Sequence, residues 1–144
     1  MAINTSNTFL MKGTTSNNTT TWAKLIDIKD FPDLGSAAPT LDTTTLSDKM
    51  HTYIADISDT GGNLEFTSNY TKSDYSTLAA LAGAENDYAV WFGASENNGV
   101  VTPDGSDGKF SFKGELSVWK KGAGVGAVQE MGVAIAPSTE IKFA

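Results

Sequence analysis

Apolar and polar residues alternate with a period of two along much of this chain, the spacing that puts one set of side chains on each face of a strand. Between residues 63 and 70, Leu64, Phe66 and Tyr70 fall on one side and Asn63, Glu65, Thr67 and Asn69 on the other. Between residues 109 and 119, Phe110, Phe112, Leu116 and Val118 face one way, and Ser111, Lys113, Glu115 and Ser117 the other. Weaker patterns predict strands over 8–12, with Phe9 and Met11 on one side, and over 22–28, with Lys24, Ile26 and Ile28 opposite Ala23, Leu25 and Asp27. Further strands are predicted over 88–93, 128–136 and 139–143. Asn98-Gly99, residues 59–63 and the glycine-rich run 122–126 are turn signals between them. The polar run 14–21 reads as a loop.

The period changes to a helical one once. Tyr75, Leu78 and Ala82 repeat at helix spacing over 73–82, with Thr71 and Asp74 placed as a shortened capping box and Gly83 as the stop. The predicted fold is therefore mainly β: an antiparallel β-sandwich or split barrel of about seven or eight strands, with one flanking α-helix. Residues 30–57 break the pattern. Pro32, Gly35 and Pro39 interrupt any regular element, and Met50, Tyr53 and Ile54 have no evident core strand to occupy. A long excursion without structure of its own is uncommon in a compact domain and usually binds something.

Composition narrows the function classes. At 144 residues and with 40% hydrophobic content, the chain suits one domain with a sizeable core. A compact body of this mass exposes about 7,000 Å². There is no cysteine, so disulfides and thiolate metal sites are excluded. No secretory leader is read in the first residues, and no apolar stretch approaches the ~18 residues of a membrane span, so no membrane association is expected. The net charge of −7 has the wrong sign for holding nucleic acid through its phosphates.

Candidate catalytic groups fall away one by one. His51 is the only histidine, and no serine elbow accompanies it. Asp104 and Glu115 bracket a calcium-loop length, but Gly108 and Lys109 stand where an oxygen ligand and a glycine are needed, so 104–108 reads as a turn. Gly122, Gly124 and Gly126 lie between strands and not before a helix. Asp27, Asp30 and Asp33 read as a solvated or subunit-facing edge, and Trp22, Trp91 and Trp119 as core or interface residues. The reading is a non-enzyme with no catalytic residue, metal or cofactor.

Two stretches resemble a known family. One is Ile26-Asp27-Ile28-Lys29-Asp30-Phe31-Pro32-Asp33-Leu34-Gly35, followed by Pro39-Thr40-Leu41-Asp42-Thr43-Thr44-Thr45-Leu46-Ser47-Asp48. The other runs from Tyr53 through Gly62-Asn63-Leu64-Glu65-Phe66 to Tyr70, with the helix behind it. This order resembles the major tail tube proteins of long-tailed, non-contractile (lambda-type) phages, whose fold is related to the type VI secretion tube. The resemblance implies a single tube domain over 1–144, without the C-terminal immunoglobulin-like domain of some relatives. It implies hexameric rings stacked into a tube, in the virion after assembly in the host cytoplasm. Implied partners are other copies of the chain, the tape measure, terminator and distal tail proteins, and DNA passing without tight binding. It also implies a stacking loop at about 35–57, where Leu41, Thr44, Leu46, Asp48, Met50, Tyr53 and Ile54 would make the inter-subunit contacts. Alternatives are a tube subunit of a contractile tail or secretion system, and a capsid decoration or adhesin module.

The charge suits a conduit. Six copies at −7 bring a ring to about −42, which keeps a polyanion from sticking to the wall. Glu65, Lys113, Glu115 and Glu130, on the non-apolar side of their strands, are the candidate lumen residues.

Overall fold

A computed structural model describes residues 6–35, 40–55 and 62–143. The elements are β1 (Thr8–Ser16), β2 (Thr19–Ile26), β3 (Thr40–Asp42), β4 (Tyr53–Ala55), β5 (Leu64–Asn69), α1 (Lys72–Leu81), β6 (Glu85–Asn97), β7 (Val100–Lys120), β8 (Glu130–Pro137) and β9 (Lys142–Phe143). Every strand pair is antiparallel. The main sheet runs β2-β1-β6-β7-β8-β5 with β9 beside β7, while β3 and β4 form a separate two-stranded sheet. The mainly β architecture with one flanking helix is as expected.

The two ends of the main sheet meet. Just past β2, Lys29 donates its backbone N–H to the Thr67 carbonyl at 2.7 Å, and Asp30 forms an isolated bridge with Thr67. The Thr67 N–H is bound by the Asp30 carboxylate at 2.9 Å, and the Ser68 hydroxyl donates to the Asp27 carbonyl at 2.6 Å. The sheet is thus a split barrel, sealed along β5 by residues 27–30. Its interior holds Leu10, Ile26, Leu64, Phe66, Tyr88, Val90, Phe112, Leu116, Met131, Val133 and Ile135. Register stacks these residues in rows. Leu64 and Leu116 flank Ile135, and Phe66 and Val118 flank Val133, so the apolar sets read from the sequence face one another across three strands. Leu78 of α1 adds the helix to this core; the helix is capped by the Thr71 hydroxyl accepting from the Asp74 N–H. The helix end is fixed by the Gly83 N–H, which donates to the Leu116 carbonyl.

Several expectations need correction. The polar run 14–21 is a tight hairpin, because Asn17 and Asn18 both adopt positive φ (50° and 62°) and pair Ser16 with Thr19 across a two-residue turn. Lys24 and Ile26 do not share a face. A register shift sets Leu10 against Ile26 but Met11 against Lys24, leaving Leu25 as an extra residue that also leans into the core. The turn at 104–108 exists as a bulge inside β7, between the pairs Phe92–Gly108 and Ala94–Pro103. There the Asp104 carboxylate accepts the Ser106 N–H, and Gly93 opposite has φ +102° with no room for a Cβ. β8 begins at Glu130 and leaves Val128 exposed, and the terminal strand is only Lys142–Phe143. The turn expected at 59–63 lies mostly outside the described residues.

Tyr88 is fully buried, and its hydroxyl has no hydrogen-bond partner among the described residues. Burial accordingly raises the phenol above its ordinary value, with the Asn86 amide opposing. A buried hydroxyl without a strong partner contributes little beyond its ring. Tyr88→Phe is therefore expected to leave stability unchanged or raise it by about 1 kcal/mol in urea unfolding. A loss of ~2 kcal/mol would reveal a hydrogen bond at that position.

Candidate functional site

Residues 40–55, expected to lack regular structure, form a hairpin of their own. Thr40, Leu41 and Asp42 pair with Ala55, Ile54 and Tyr53, and the Thr43 N–H donates to the Thr52 carbonyl at 2.8 Å. Alternation gives the hairpin two faces. Leu41 and Ile54 stand opposite each other on one, beyond the Thr43–Thr52 hydroxyl pair at 2.9 Å. The other carries Asp42, Thr44, His51 and Tyr53. The Asp42 carboxylate accepts the Thr44 N–H at 2.9 Å, and the Thr44 hydroxyl accepts the Thr52 N–H at 2.8 Å and contacts His51 Nδ1 at 3.3 Å. The ring of His51 stacks on Tyr53. At the tip, the Asp48 carboxylate accepts the Thr45 N–H and its own N–H donates to the Thr45 carbonyl.

The structure thus brings the seven predicted stacking residues onto one projecting element. Thr44, Asp48 and Asp42 build it, while the apolar members remain uncovered. Leu41 is 47% exposed, Ile54 54%, Met50 74%, and Leu46 is fully exposed at the tip. The body's own core is complete without them.

The four candidate lumen residues share the outer face of the barrel. Glu65, Lys113 and Glu115 are exposed; Glu130 is half-buried and paired with Lys29 at 2.6 Å. Glu115 stands directly across from Glu85, and Lys113 across from Asp87. The same face also carries an apolar cluster, a feature sequence reading missed. Met11, Ala89 and Trp91 form a small second cluster with Phe9 and Trp22 against it. Trp22 and Trp91 meet at 6.2 Å between ring centroids, and Lys109 lies over Trp91 at 4.2 Å. The shared parity of Phe9 and Met11 was the available signal. Trp119 covers Gly132 on the neighbouring strand so closely that a Cβ there would meet its ring.

The acids near Pro32 do structural work. Asp30 seals β5 through its carboxylate, while Asp27 makes an exposed pair with Lys24 at 3.0 Å and contributes its carbonyl to the seam. The glycine-rich run lies between β7 and β8, with a turn at Ala127 N–H to Gly124 carbonyl. Among the described residues no group of three or more His, Asp or Glu side chains is placed to hold a metal ion. No helix among them is long and apolar enough to cross a membrane.

Two carboxyls are held below their ordinary values: Asp42 by the hydroxyl and N–H of Thr44, and Glu130 by its hydrogen bond to Lys29. A depressed carboxyl favours the folded form above its unfolded pKa and loses that contribution as pH falls through the folded one. On acidification, the Thr44 amide resonance is expected to shift with a midpoint below the ordinary aspartate value of 3.8. A midpoint at or above that value would show that Asp42 does not hold the turn.

No protein-family model matches the sequence, and no curated protein matches it. Among solved structures, the fold is similar to a chain in the "Cryo-EM structure of the anti-feeding prophage (AFP) baseplate, 6-fold symmetrised". The superposition has a TM-score of 0.62 and covers 100% of this chain and 97% of the other, at 9% sequence identity. At that identity, the shared property is the fold: the split barrel with its single helix.

Proposed function

We propose that this chain is a structural subunit of a phage tail. It polymerises as stacked hexameric rings into the tube that conducts the genome, and it carries out no chemistry. The observation behind this reading is the uncovered hairpin of residues 40–55 on a body whose core is already closed. An apolar arm with no seat on its own domain is an assembly element. Support also comes from the fold, which resembles a chain from a six-fold symmetrised phage-like baseplate over its whole length.

In this reading Leu41, Leu46, Met50, Tyr53 and Ile54 are buried against neighbouring copies, and Thr44 and Asp48 hold the arm in shape. The charged half of the outer face, with Glu65, Lys113, Glu115 and Glu130, lines the channel, where its acids repel passing phosphates. Tape measure, terminator and distal tail proteins are the heterologous partners, and the assembled virion is its place of action. A second reading is a subunit of a baseplate in place of the tube, favoured by the source of the structural likeness. The two differ in the product of assembly, since a tube subunit extends indefinitely and a baseplate subunit stops at a ring.

Deleting residues 40–52 is expected to leave a folded monomer that no longer polymerises, by size exclusion across a concentration series and negative-stain microscopy. Long tubes from the deleted protein would remove the hairpin from the assembly. Glu65→Lys with Glu115→Lys is expected to leave tubes intact while slowing DNA ejection. Wild-type ejection kinetics would move these side chains out of the channel.

A further inference from the structure

The main sheet treats its two edges differently. The β5 edge is sealed by residues 27–30. The opposite edge, β2, pairs only with β1 among the described residues and is exposed from Thr19 to Thr21 and at Ala23 and Lys24. Natural edges are guarded by charge, proline or a bulge. Here Thr19-Thr20-Thr21-Trp22-Ala23 has none of these; the first charge is Lys24 and the register shift comes only at Leu25. Three successive threonines also favour extended backbone.

The same chain carries a second incomplete sheet. Among the described residues β3 and β4 are a two-stranded ribbon, a unit that is marginal in water until a third strand joins it. The charges of the two elements are complementary. Lys24 is the only charged residue of β2, and Asp42 is the only one in β3 and β4. Hydrogen bonds from Thr44 favour the ionised form of Asp42, and among the described residues Lys24 is paired with the exposed Asp27 three positions on. A ring of identical subunits needs two different, mutually complementary surfaces on each copy. An open edge and an open ribbon are such a pair.

We infer that β3 of one copy adds as a strand to the β2 edge of a second copy, bringing Asp42 beside Lys24. The inference rests on the self-assembly reading and names the surface that receives the hairpin. Main-chain hydrogen bonds provide the attachment, the charge pair fixes register, and Leu41 and Ile54 lie against the neighbour's sheet.

Backbone geometry supplies the test. In a two-residue turn the closing pair, Ser16 and Thr19, is the hydrogen-bonded one, so the Thr20 N–H points away from β1 to the open side. Thr20→Pro removes that donor and none of the internal ladder. It is expected to raise the concentration needed for assembly at least about tenfold, while circular dichroism of the monomer is unchanged. Because the chain has no cysteine, Lys24→Cys with Asp42→Cys gives an independent readout. Under oxidation the assembled protein is expected to yield covalent oligomers on a non-reducing gel, and each single variant only monomers and dimers. Wild-type tubes combined with normal assembly of Thr20→Pro and no covalent ladder would overturn this docking mode and leave the tube reading standing. A wild-type chain that stays monomeric at every concentration would overturn both. If Thr20→Pro fails to fold, the cysteine pair alone decides.

Discussion

The barrel is held shut by a short irregular segment, residues 27–30, laid against β5. Only Thr67 receives backbone pairing there, and the remaining contacts come from side chains: Asp30 on the Thr67 N–H, Ser68 on the Asp27 carbonyl, and Lys29 on Glu130. This seal has two effects. It encloses Leu64, Phe66 and Met131, and it uses up the strand edge on which the following excursion would otherwise fold back. The chain leaves the seam with its core finished. What comes next, the β3–β4 ribbon, has no interior left to enter and carries its apolar residues into solvent.

The same closure explains the division of the outer face. With the interior filled from one side of each strand, the other parity is free to differ between halves of the barrel. Where β1, β2 and β6 adjoin, Phe9, Met11, Trp22, Ala89 and Trp91 pack together on it, whereas Glu65, Glu85, Asp87, Lys113 and Glu115 leave other parts of it charged. β6 is therefore buried on both faces from Tyr88 to Trp91, as a central strand requires. Gly132 leaves room for the Trp119 ring on the neighbouring strand.

Much of the fold was legible because strands with one buried face write their burial as alternation. β5 and the second half of β7 did so cleanly, and the capped helix announced itself through Thr71 and Gly83. The reading failed where burial did not follow parity. β2 breaks alternation at its bulge, so Lys24 and Ile26 were set on one face when they occupy two. The first hairpin escaped because its turn is Asn-Asn between threonines and not an asparagine–glycine step. The seam was invisible, since it depends on residues about 40 apart in the chain meeting through side chains. Of the candidate site, the lack of a core strand for Met50, Tyr53 and Ile54 was legible. That they would form an ordered ribbon was not, because the cross-strand network of Asp42, Thr44, His51 and Thr52 has no apolar period to display.

The opposed pair Glu85 and Glu115 has a consequence for the medium in which the protein works. Two carboxylates facing each other on adjacent strands strain the fold modestly, and dissolved ions screen that repulsion over a Debye length of about 10 Å at 0.1 M. In the proposed ring the same pair would recur in every copy as a belt of negative charge, and ionic strength would then tune the collective object as well as the solitary chain.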